Sequence, residues 1–216
     1  KLQSVVNALP ALMKGSITTF QLTLVSVVFG LIIGLFLALG RLSNNLIIDK
    51  LCKFYIWMFR GTPLLMQIFF VYYALPMIYK PFTLDQMPAA YLALSLNSGA
   101  YLAEIIRAAI QSIDKGQMEA AKALGMNYGQ AMRRIIIPQS YRRLIPPVGN
   151  EFIMLLKDSA LVSSIGMGEL MRATIQISNA LGNALIYMPS AVLYLAMTTV
   201  FTYLFEKLEK KYSVYE

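Results

Sequence analysis

The residues of this sequence best suited to chemistry are two carboxylates in a largely apolar segment. Glu151 and Asp158 are seven residues apart, so a continuous helix would place them about 20° from each other around its axis. Charges inside a membrane segment are costly and mark functional positions. Two carboxylates that face one cavity would attract a guanidinium or ammonium group through charge-assisted hydrogen bonds. The spacing therefore predicts a binding site for a cation.

Further polar side chains can be placed around the same cavity. Asn97, Tyr101 and Glu104 are spaced by four and three residues, so they share one face of a helix and could form a second wall. Half-helix termini near residues 146–150 could bind an α-carboxylate. We therefore expect a cationic amino acid, such as arginine, lysine or histidine, as the ligand. The predicted substrate-binding residues are Glu151, Asp158, Glu104, Asn97, Tyr101 and Ser159.

The same charges also allow a structural interpretation. Glu104 could pair with Arg107 one turn away, and Lys157 could neutralise a carboxylate of a neighbouring helix. Ion pairs of this kind would hold a helix bundle together without binding a ligand. The sequence leaves both interpretations open.

Residue usage argues against most enzyme chemistry. The chain has no histidine and a single cysteine, Cys52. An internal disulfide is excluded, and neither a zinc centre nor a Ser-His-Asp triad is expected. An intramembrane enzyme would also need a nucleophile and base pair, which the motifs do not provide. We expect no catalytic residue, no metal site and no cofactor bound by this chain.

Composition indicates an all-α integral membrane protein. Of 216 residues, 57% are hydrophobic and 14% are charged, whereas soluble domains carry about 25% charged residues. The formal net charge of +8 would also suit nucleic-acid binding. The basic residues lie at the ends of apolar runs, however, where they set membrane orientation. We therefore expect membrane lipid around the chain and no nucleic acid.

Hydrophobic patterning predicts a single transmembrane domain over residues 1–216. Residues 1–15 carry apolar positions at helical spacing, which predicts a short amphipathic helix at the membrane interface. Pro63 is expected to kink the second span, and Pro146 with Pro147 to break the start of the fourth. The five predicted spans are residues 17–39, 54–78, 88–110, 145–165 and 186–206.

Basic residues that flank the spans predict the orientation. Lys and Arg accumulate on the cytoplasmic side of a membrane, and the largest group, from Arg107 to Arg143, surrounds a polar stretch at residues 114–138. This stretch is therefore predicted to be cytoplasmic. Five spans then place the N-terminus outside and the C-terminus in the cytoplasm.

The polar stretch contains two signals for the start of a helix. Asp114 with Gln117, and Asn127 with Gln130, have the three-residue spacing of a capping box. A first short helix is predicted to begin directly after Asp114. A second is predicted to begin at Asn127.

A tight turn is expected between these two helices. Gly125 is predicted to end or bend the first helix, which carries Met118, Ala121 and Leu124 on one face. The second helix would return toward the membrane and Pro138. Composition alone would also allow an ordinary cytoplasmic loop with two helical turns.

The spacing within the polar stretch resembles the EAA loop of ABC importer permeases. The matching residues, in chain order, are Glu119, Ala120, Ala121, Gly125, Ile135, Ile137 and Pro138. Ile137 stands where the family often has Leu, and this difference keeps an apolar contact. In that family the loop forms a coupling helix, which inserts into a groove of the cytoplasmic ATPase subunit.

The resemblance implies a role for each matched position. A helix face with small residues lets another backbone approach, while Glu119 favours the helix N-terminus and can reach a basic partner. The predicted ATPase-coupling residues are Met118, Glu119, Ala120, Ala121, Leu124, Gly125 and Pro138.

A second motif narrows the resemblance. The segment from Phe59 to Gln67 resembles the second-span signature of the polar amino-acid uptake permeases among type I ABC importers. The resemblance extends over essentially the whole chain and implies that family's five-helix permease core. Arg60 within the motif could also simply extend to the cytoplasmic interface beside a kinked span.

The resemblance also implies partners. The sequence lacks G-x-x-x-x-G-K-[ST], so ATP and Mg are expected on a separate ATPase subunit, present in two copies. An extracytoplasmic binding protein would deliver the amino acid, and a second permease, identical or similar, would complete a dimer. The expected location is a bacterial or archaeal plasma membrane, with transport by alternating access. The alternative is an ion-coupled secondary transporter or channel with its ion site among Glu104, Glu151 and Asp158.

Overall fold

The computed structural model describes residues 2–212, and the regular structure in this part of the chain is helical. The α-helices are α1 (Leu2–Arg41), α2 (Leu46–Gly61), α3 (Leu64–Phe69), α4 (Leu75–Ile78), α5 (Gln86–Gln111), α6 (Lys115–Ala123), α7 (Tyr128–Ala131), α8 (Ile137–Asp158), α9 (Leu170–Leu181) and α10 (Tyr187–Tyr212). Turns of π-helix occupy Phe70–Ala74 and Met132–Ile136. Turns of 3₁₀-helix occupy Lys80–Phe82, Ser159–Ile165 and Ala184–Ile186.

Three helical segments of the described chain are long and apolar enough to cross a membrane. They are Gln3–Arg41, Gln86–Gln111 and Ala184–Tyr212, and they contain the first, third and fifth predicted spans. A fourth crossing results if Leu46–Gly61 and Leu64–Ile78 are counted together. The predicted span at residues 145–165 falls on the second half of α8 and the 3₁₀ turns after it. The number of five spans stays a prediction.

The predicted interfacial helix at residues 1–15 is not a separate element. The first helix continues through this segment into the first span without a break, and Lys1 lies outside the described residues. Ala8 and Leu12 are buried against α9 and the turn before α10. The boundary predicted near residue 16 is therefore corrected, because the helix is continuous there and packs Ala8 and Leu12 against protein neighbours.

A close approach of α1 and α5 builds the centre of the fold. A Cβ atom on Gly34 would lie 2.9 Å from Cβ of Leu102 and 3.0 Å from the backbone nitrogen of Ala103. Glycine at this position lets the two helices pack backbone to backbone, as small residues do in membrane bundles. α5 is thereby fixed on one side by α1, and it packs against α8 as well.

The predicted kink at Pro63 is confirmed, and it separates two helices. Thr62 is extended, with φ −116° and ψ 146°, and Pro63 has no N–H to continue the hydrogen-bonding of α2. The helix direction changes by 105° between the segments before and after the break. The end of α2 is therefore directed away from the line of α3 and α4.

α8 packs between α5 and α10. The ring of Phe152 lies 4.7 Å from that of Phe201 and 5.7 Å from that of Phe205, centroid to centroid. Leu155 and Leu156 are buried beside it. The outer face of α10, including Leu195, is exposed, which is typical of a helix that faces lipid. The packing leaves the polar face of α8 toward α5.

Candidate functional site

Glu151 and Asp158 lie on one continuous helix. α8 includes Pro146 and Pro147 within its length, so the break predicted at the start of the fourth span is not there. The predicted half-helix termini near residues 146–150 are therefore absent, and no helix N-terminus is available at this point for an α-carboxylate. The chain keeps its helical course because α5 and α10 support α8 on both sides.

Glu151 is a buried carboxylate with a single hydroxyl donor from another helix. Its side chain is 7% exposed, and Oε1 accepts a hydrogen bond of 2.9 Å from Oγ of Ser98 on α5. No basic residue of the described chain forms an ion pair with it. A buried carboxylate without a cation is costly unless a charged ligand meets it.

Asp158 is the last residue of α8 and is more exposed than Glu151. Its side chain has neither a hydrogen bond nor an ion pair among residues 2–212. Lys157 directly precedes Asp158 in the chain but forms no ion pair with it in the described residues. The structure thus brings the two carboxylates to one helix face, and neither is neutralised by an ion pair.

Asn97 stabilises the break between α2 and α3. Its Nδ2 donates to Oε1 of Gln67 at 2.9 Å, and Nε2 of Gln67 donates in turn to the carbonyl of Phe59 at 2.8 Å and to Oγ1 of Thr62 at 2.8 Å. These amides satisfy backbone groups that Pro63 leaves without helical partners. The polar groups of Asn97 are thus directed toward the break.

Tyr101 and Glu104 line a cavity that does not include Glu151. Glu104 forms an ion pair with Arg107, with hydrogen bonds of 3.1 and 2.6 Å, so the structural pairing considered from the sequence is present. The guanidinium of Arg60 lies 5.3 Å from the ring centroid of Tyr101. Arg60, Tyr101 and Glu104 all line one open cavity of about 480 Å³.

The structure gives Ser159 a different role from the predicted one, and Ser98 is the serine that contacts Glu151. The Oγ atom of Ser159 is buried and donates to the carbonyl of Leu156 at 2.7 Å, which caps the end of α8. Ser98, by contrast, reaches Glu151 and was absent from the sequence prediction. The signal for it was weak, because only the packing of α5 on α8 shows which side of α5 faces the carboxylate.

The polar stretch folds as two short helices around a glycine turn. Oδ1 of Asp114 accepts from the backbone nitrogen of Gly116 at 2.7 Å and begins α6. This is a helix cap, although the predicted reciprocal bond from Gln117 does not form. Gly125 has φ +81°, a left-handed conformation that favours glycine. The predicted first helix and its turn are confirmed.

The second capping signal is confirmed in full. Asn127 Oδ1 accepts from the backbone nitrogen of Gln130 at 2.9 Å, and Gln130 Oε1 accepts from that of Asn127 at 3.0 Å. The helix that starts here does not end at Pro138, however. A π-helical turn takes up the chain before α8, and Ile137 donates to the carbonyl of Met132 five residues back. Wider hydrogen-bonding of this kind accommodates a proline without ending the helix.

The exposed face of α6 differs from the predicted one. Leu124 is 78% exposed, whereas Ala121 is 0% exposed and packs toward α7 and the π-helical turn. Met118 is half-buried, and Glu119 and Ala120 are exposed. The prediction that Met118, Ala121 and Leu124 form one outward face is therefore wrong for Ala121. The three positions spread over about 120° around the helix axis, and the returning chain covers one side of it.

The family match covers most of the chain. Residues 30–214 match the family described as a binding-protein-dependent transport system inner membrane component. The chain belongs to this family. Its curated relatives are amino-acid permeases of ABC transporters, so the protein is a permease of an amino-acid ABC importer.

Several relatives share nearly the full length of this permease. The arginine transport system permease protein ArtQ of Bacillus subtilis is 41% identical, over 94% of this chain and 93% of its own. The glutamine transport system permease protein GlnP of Escherichia coli is 36% identical, over 96% and 95%. The L-cystine transport system permease protein TcyB of Bacillus subtilis is 42% identical, over 86% and 79%.

Solved structures place the permease in the type I importer fold. A crystal structure of an amino acid ABC transporter with histidines has a TM-score of 0.92 and 40% identity, covering 98% of each chain. The methionine transporter MetNI in an inward-facing conformation has a TM-score of 0.78 at 20% identity, covering 94% of this chain and 97% of its own, and supports the fold alone.

Proposed function

We propose that this permease carries cationic amino acids, with arginine as the best candidate, and that Glu151 and Asp158 bind the cationic side chain. The observation that carries the proposal is the buried carboxylate of Glu151, which has one hydroxyl partner and no ion pair in the described chain. A guanidinium is planar and forms paired hydrogen bonds with carboxylates, so it suits this position. ArtQ, the arginine permease, is among the relatives with nearly full coverage.

The other predicted substrate residues have different parts in this proposal. Asn97 fixes the bend that shapes one side of the bundle, and Ser159 caps the end of α8 below Asp158. Ser98 holds the Glu151 carboxylate in a defined rotamer. Tyr101 and Glu104 lie closer to the α6 end of α5 and do not contact Glu151. The site thus rests on the Ser98, Glu151 and Asp158 side chains.

The exposed face of α6 is the proposed contact with a separate ATPase subunit. Glu119, Ala120 and Leu124 are exposed, and Ala121 is buried. Gly125 forms the turn that follows α6, and Pro138 lies in the first turn of α8. In this proposal α6 is cytoplasmic, the C-terminus is cytoplasmic and the N-terminus is outside. The working assembly contains two ATPase subunits that bind ATP and Mg, a second permease of the same or a similar sequence, and an extracytoplasmic binding protein.

α8 mechanically links the proposed ATPase contact at α6 to the proposed substrate site at Glu151. After the π-helical turn it runs as one helix from Ile137 to Asp158, a length of about 33 Å. The polar stretch at residues 114–138, here called the docking element, is also linked to α8 by a hydrogen bond, which Nε2 of Gln139 donates to Oε1 of Gln117 at 3.3 Å. A displacement of α6 by the ATPase would therefore move Glu151 with it. This motion would open the carboxylate site alternately to the two sides of the membrane.

The proposal is tested by amino-acid binding to the purified transporter complex. We expect Glu151→Gln and Asp158→Asn each to weaken arginine binding by about 10- to 100-fold, since a hydrogen bond to a charged group contributes about 1.5–3 kcal/mol. Glu206→Gln is the matched control, because this exposed carboxylate lies on the outer part of α10. Arginine affinity that is unchanged in both site variants would exclude the site, and stronger binding of glutamine than arginine would exclude the cationic substrate class.

A further inference from the structure

A cavity between α2, α5 and α8 carries polar side chains on part of its wall. It has a volume of about 480 Å³, and its polar wall is formed by Arg60, Tyr101, Glu104 and Arg143. Cavities of roughly 300–1,000 Å³ hold small-molecule ligands. Glu104 follows Ser98 by six residues on α5, which corresponds to about 9 Å along the helix toward α6. The cavity therefore lies between the carboxylate site and the end of the bundle that carries α6.

The charged side chains that line this cavity differ in whether they have a partner within the protein. Glu104 is paired with Arg107, and Arg143 donates to the carbonyl of Ser112. The side chain of Arg60, which is exposed, has neither a hydrogen bond nor an ion pair within residues 2–212. Its guanidinium is oriented by the ring of Tyr101, 5.3 Å from the centroid. Contact with the ring face leaves the N–H groups at the edge of the guanidinium free to donate.

The position of Arg60 is fixed by the break after it. Arg60 lies in the last turn of α2, two residues before the extended Thr62. Gln67 joins Thr62 to the last turn of α2 and is held by Asn97. The sequence motif around Pro63 therefore does more than bend a span, since it places an unpaired guanidinium on the wall of the cavity.

We propose that this cavity is a second station for the transported amino acid, at which Arg60 binds the α-carboxylate and Glu104 the α-ammonium group. The inference rests on the proposed import function, and it concerns groups that every α-amino acid shares. Each oxygen of Glu104 accepts one hydrogen bond from Arg107, and a carboxylate has further acceptor positions. The planar fork of Arg60 suits a carboxylate. Amino acid that accumulates on the α6 side would occupy this station and slow further import.

The test uses the complete transporter in proteoliposomes, with ATP and the probes enclosed on the α6 side. Uptake of arginine, and in parallel of glutamine, is measured against increasing enclosed amino acid. The decarboxylated analogues, agmatine for arginine and 4-aminobutanamide for glutamine, are the comparison probes. We expect the wild type to be inhibited at about tenfold lower concentration by the amino acids than by the analogues, because the analogues lack the carboxylate that Arg60 binds.

Variants of Arg60 distinguish recognition from a structural role. Arg60→Gln should bring the amino acid and its analogue to the same inhibitory concentration, while Arg60→Lys should retain part of the difference. Lys53→Gln, an exposed basic residue on the same helix, should keep the wild-type difference. The inference is wrong if amino acid and analogue inhibit the wild type equally, or if Arg60→Gln retains the tenfold difference.

Glu151→Gln in the same assay separates the two proposals. If it weakens uptake of external arginine while Arg60→Gln leaves the probe difference unchanged, the carboxylate site stands and the second station is refuted. If Arg60→Gln removes the difference for glutamine while Glu151→Gln has no effect on arginine uptake, the second station stands without the cationic substrate class.

Discussion

Two substitutions, at Ala121 in α6 and at Leu124 directly after this helix, test the proposed docking face. Leu124 is 78% exposed and Ala121 is 0% exposed, so the same segment offers one position outside and one inside the fold. Replacing Leu124 with Ala removes few contacts within the permease. The free energy of unfolding should therefore change by less than about 0.5 kcal/mol, as is usual for surface positions.

The effect on assembly should be larger. If the ATPase covers Leu124, truncation to Ala forfeits most of the roughly 1.5–3 kcal/mol that burial of a leucine side chain contributes. This corresponds to about 10- to 100-fold weaker association. Ala121→Leu should instead lower the stability of the permease, because added methylene groups in a packed position destabilise a fold by about 1–3 kcal/mol. The permease itself, and only through it the assembly, would then be affected.

The assay combines association with stability. Binding of purified ATPase to the permease in lipid nanodiscs gives the dissociation constant, and thermal unfolding of the permease alone gives its stability. Leu124→Ala should shift the first quantity and Ala121→Leu the second. ATPase association that is unchanged in Leu124→Ala, or an Ala121→Leu permease with wild-type stability, would refute the assignment of outer and inner faces.

Two further predictions concern glycines for which the structure gives different reasons. Gly125→Ala should destabilise the docking turn by about 1–2 kcal/mol because φ is +81° there, and it should lower ATPase activity coupled to the permease. Gly129→Ala, at a helical position without positive φ, should leave that activity at the wild-type level. Equal losses in both variants would contradict the argument. Gly34→Ala should lower the thermal midpoint of the permease, because the new Cβ would lie 2.9 Å from Leu102, at a cost of about 1–3 kcal/mol. Gly61→Ala serves as its control, because a Cβ added there has no atom within 4 Å. Equal midpoints of the two variants would show that α1 and α5 can separate.

Because the protein is a permease of an amino-acid importer, the results of these experiments can be interpreted together. The family and the type I fold establish the permease class. In the proposed function, the substrate pathway lies among the helices and the docking element lies at one end of the bundle. Among the described residues, α8 is the element that connects both, since it begins after the docking turns and carries Glu151. Variants in the docking element should therefore change coupling without changing arginine affinity. Variants at Glu151 should show the reverse.

Local signals explain what the sequence could predict. Asp114, Asn127 and Gly125 act within three or four residues of themselves, so their residue types alone indicate where α6 and α7 begin and where the chain turns. The break at Pro63 has the same origin, because a missing N–H and a fixed φ are properties of the residue itself. The apolar lengths of α1, α5 and α10 likewise depend only on composition.

The site depended on contacts between distant segments. Residues on one face of a helix need not share one cavity, and the face that carries Asn97, Tyr101 and Glu104 illustrates this. Asn97 is held by Gln67 at the break, whereas Tyr101 and Glu104 line a cavity with Arg60. Ser98, one residue after Asn97, is the side chain that reaches Glu151.

The sequence by itself thus determined the helical membrane fold, the two short helices around the Gly125 turn and the pair of carboxylates seven residues apart. The tertiary structure alone decided that α8 continues through Pro146 and Pro147, and that Ala121 is inside while Leu124 is outside. The physical reason is the range of the interactions. Caps, turns and apolar periodicity act over a few residues, whereas the burial of a side chain and the course of a proline-containing helix depend on the neighbours that pack against it.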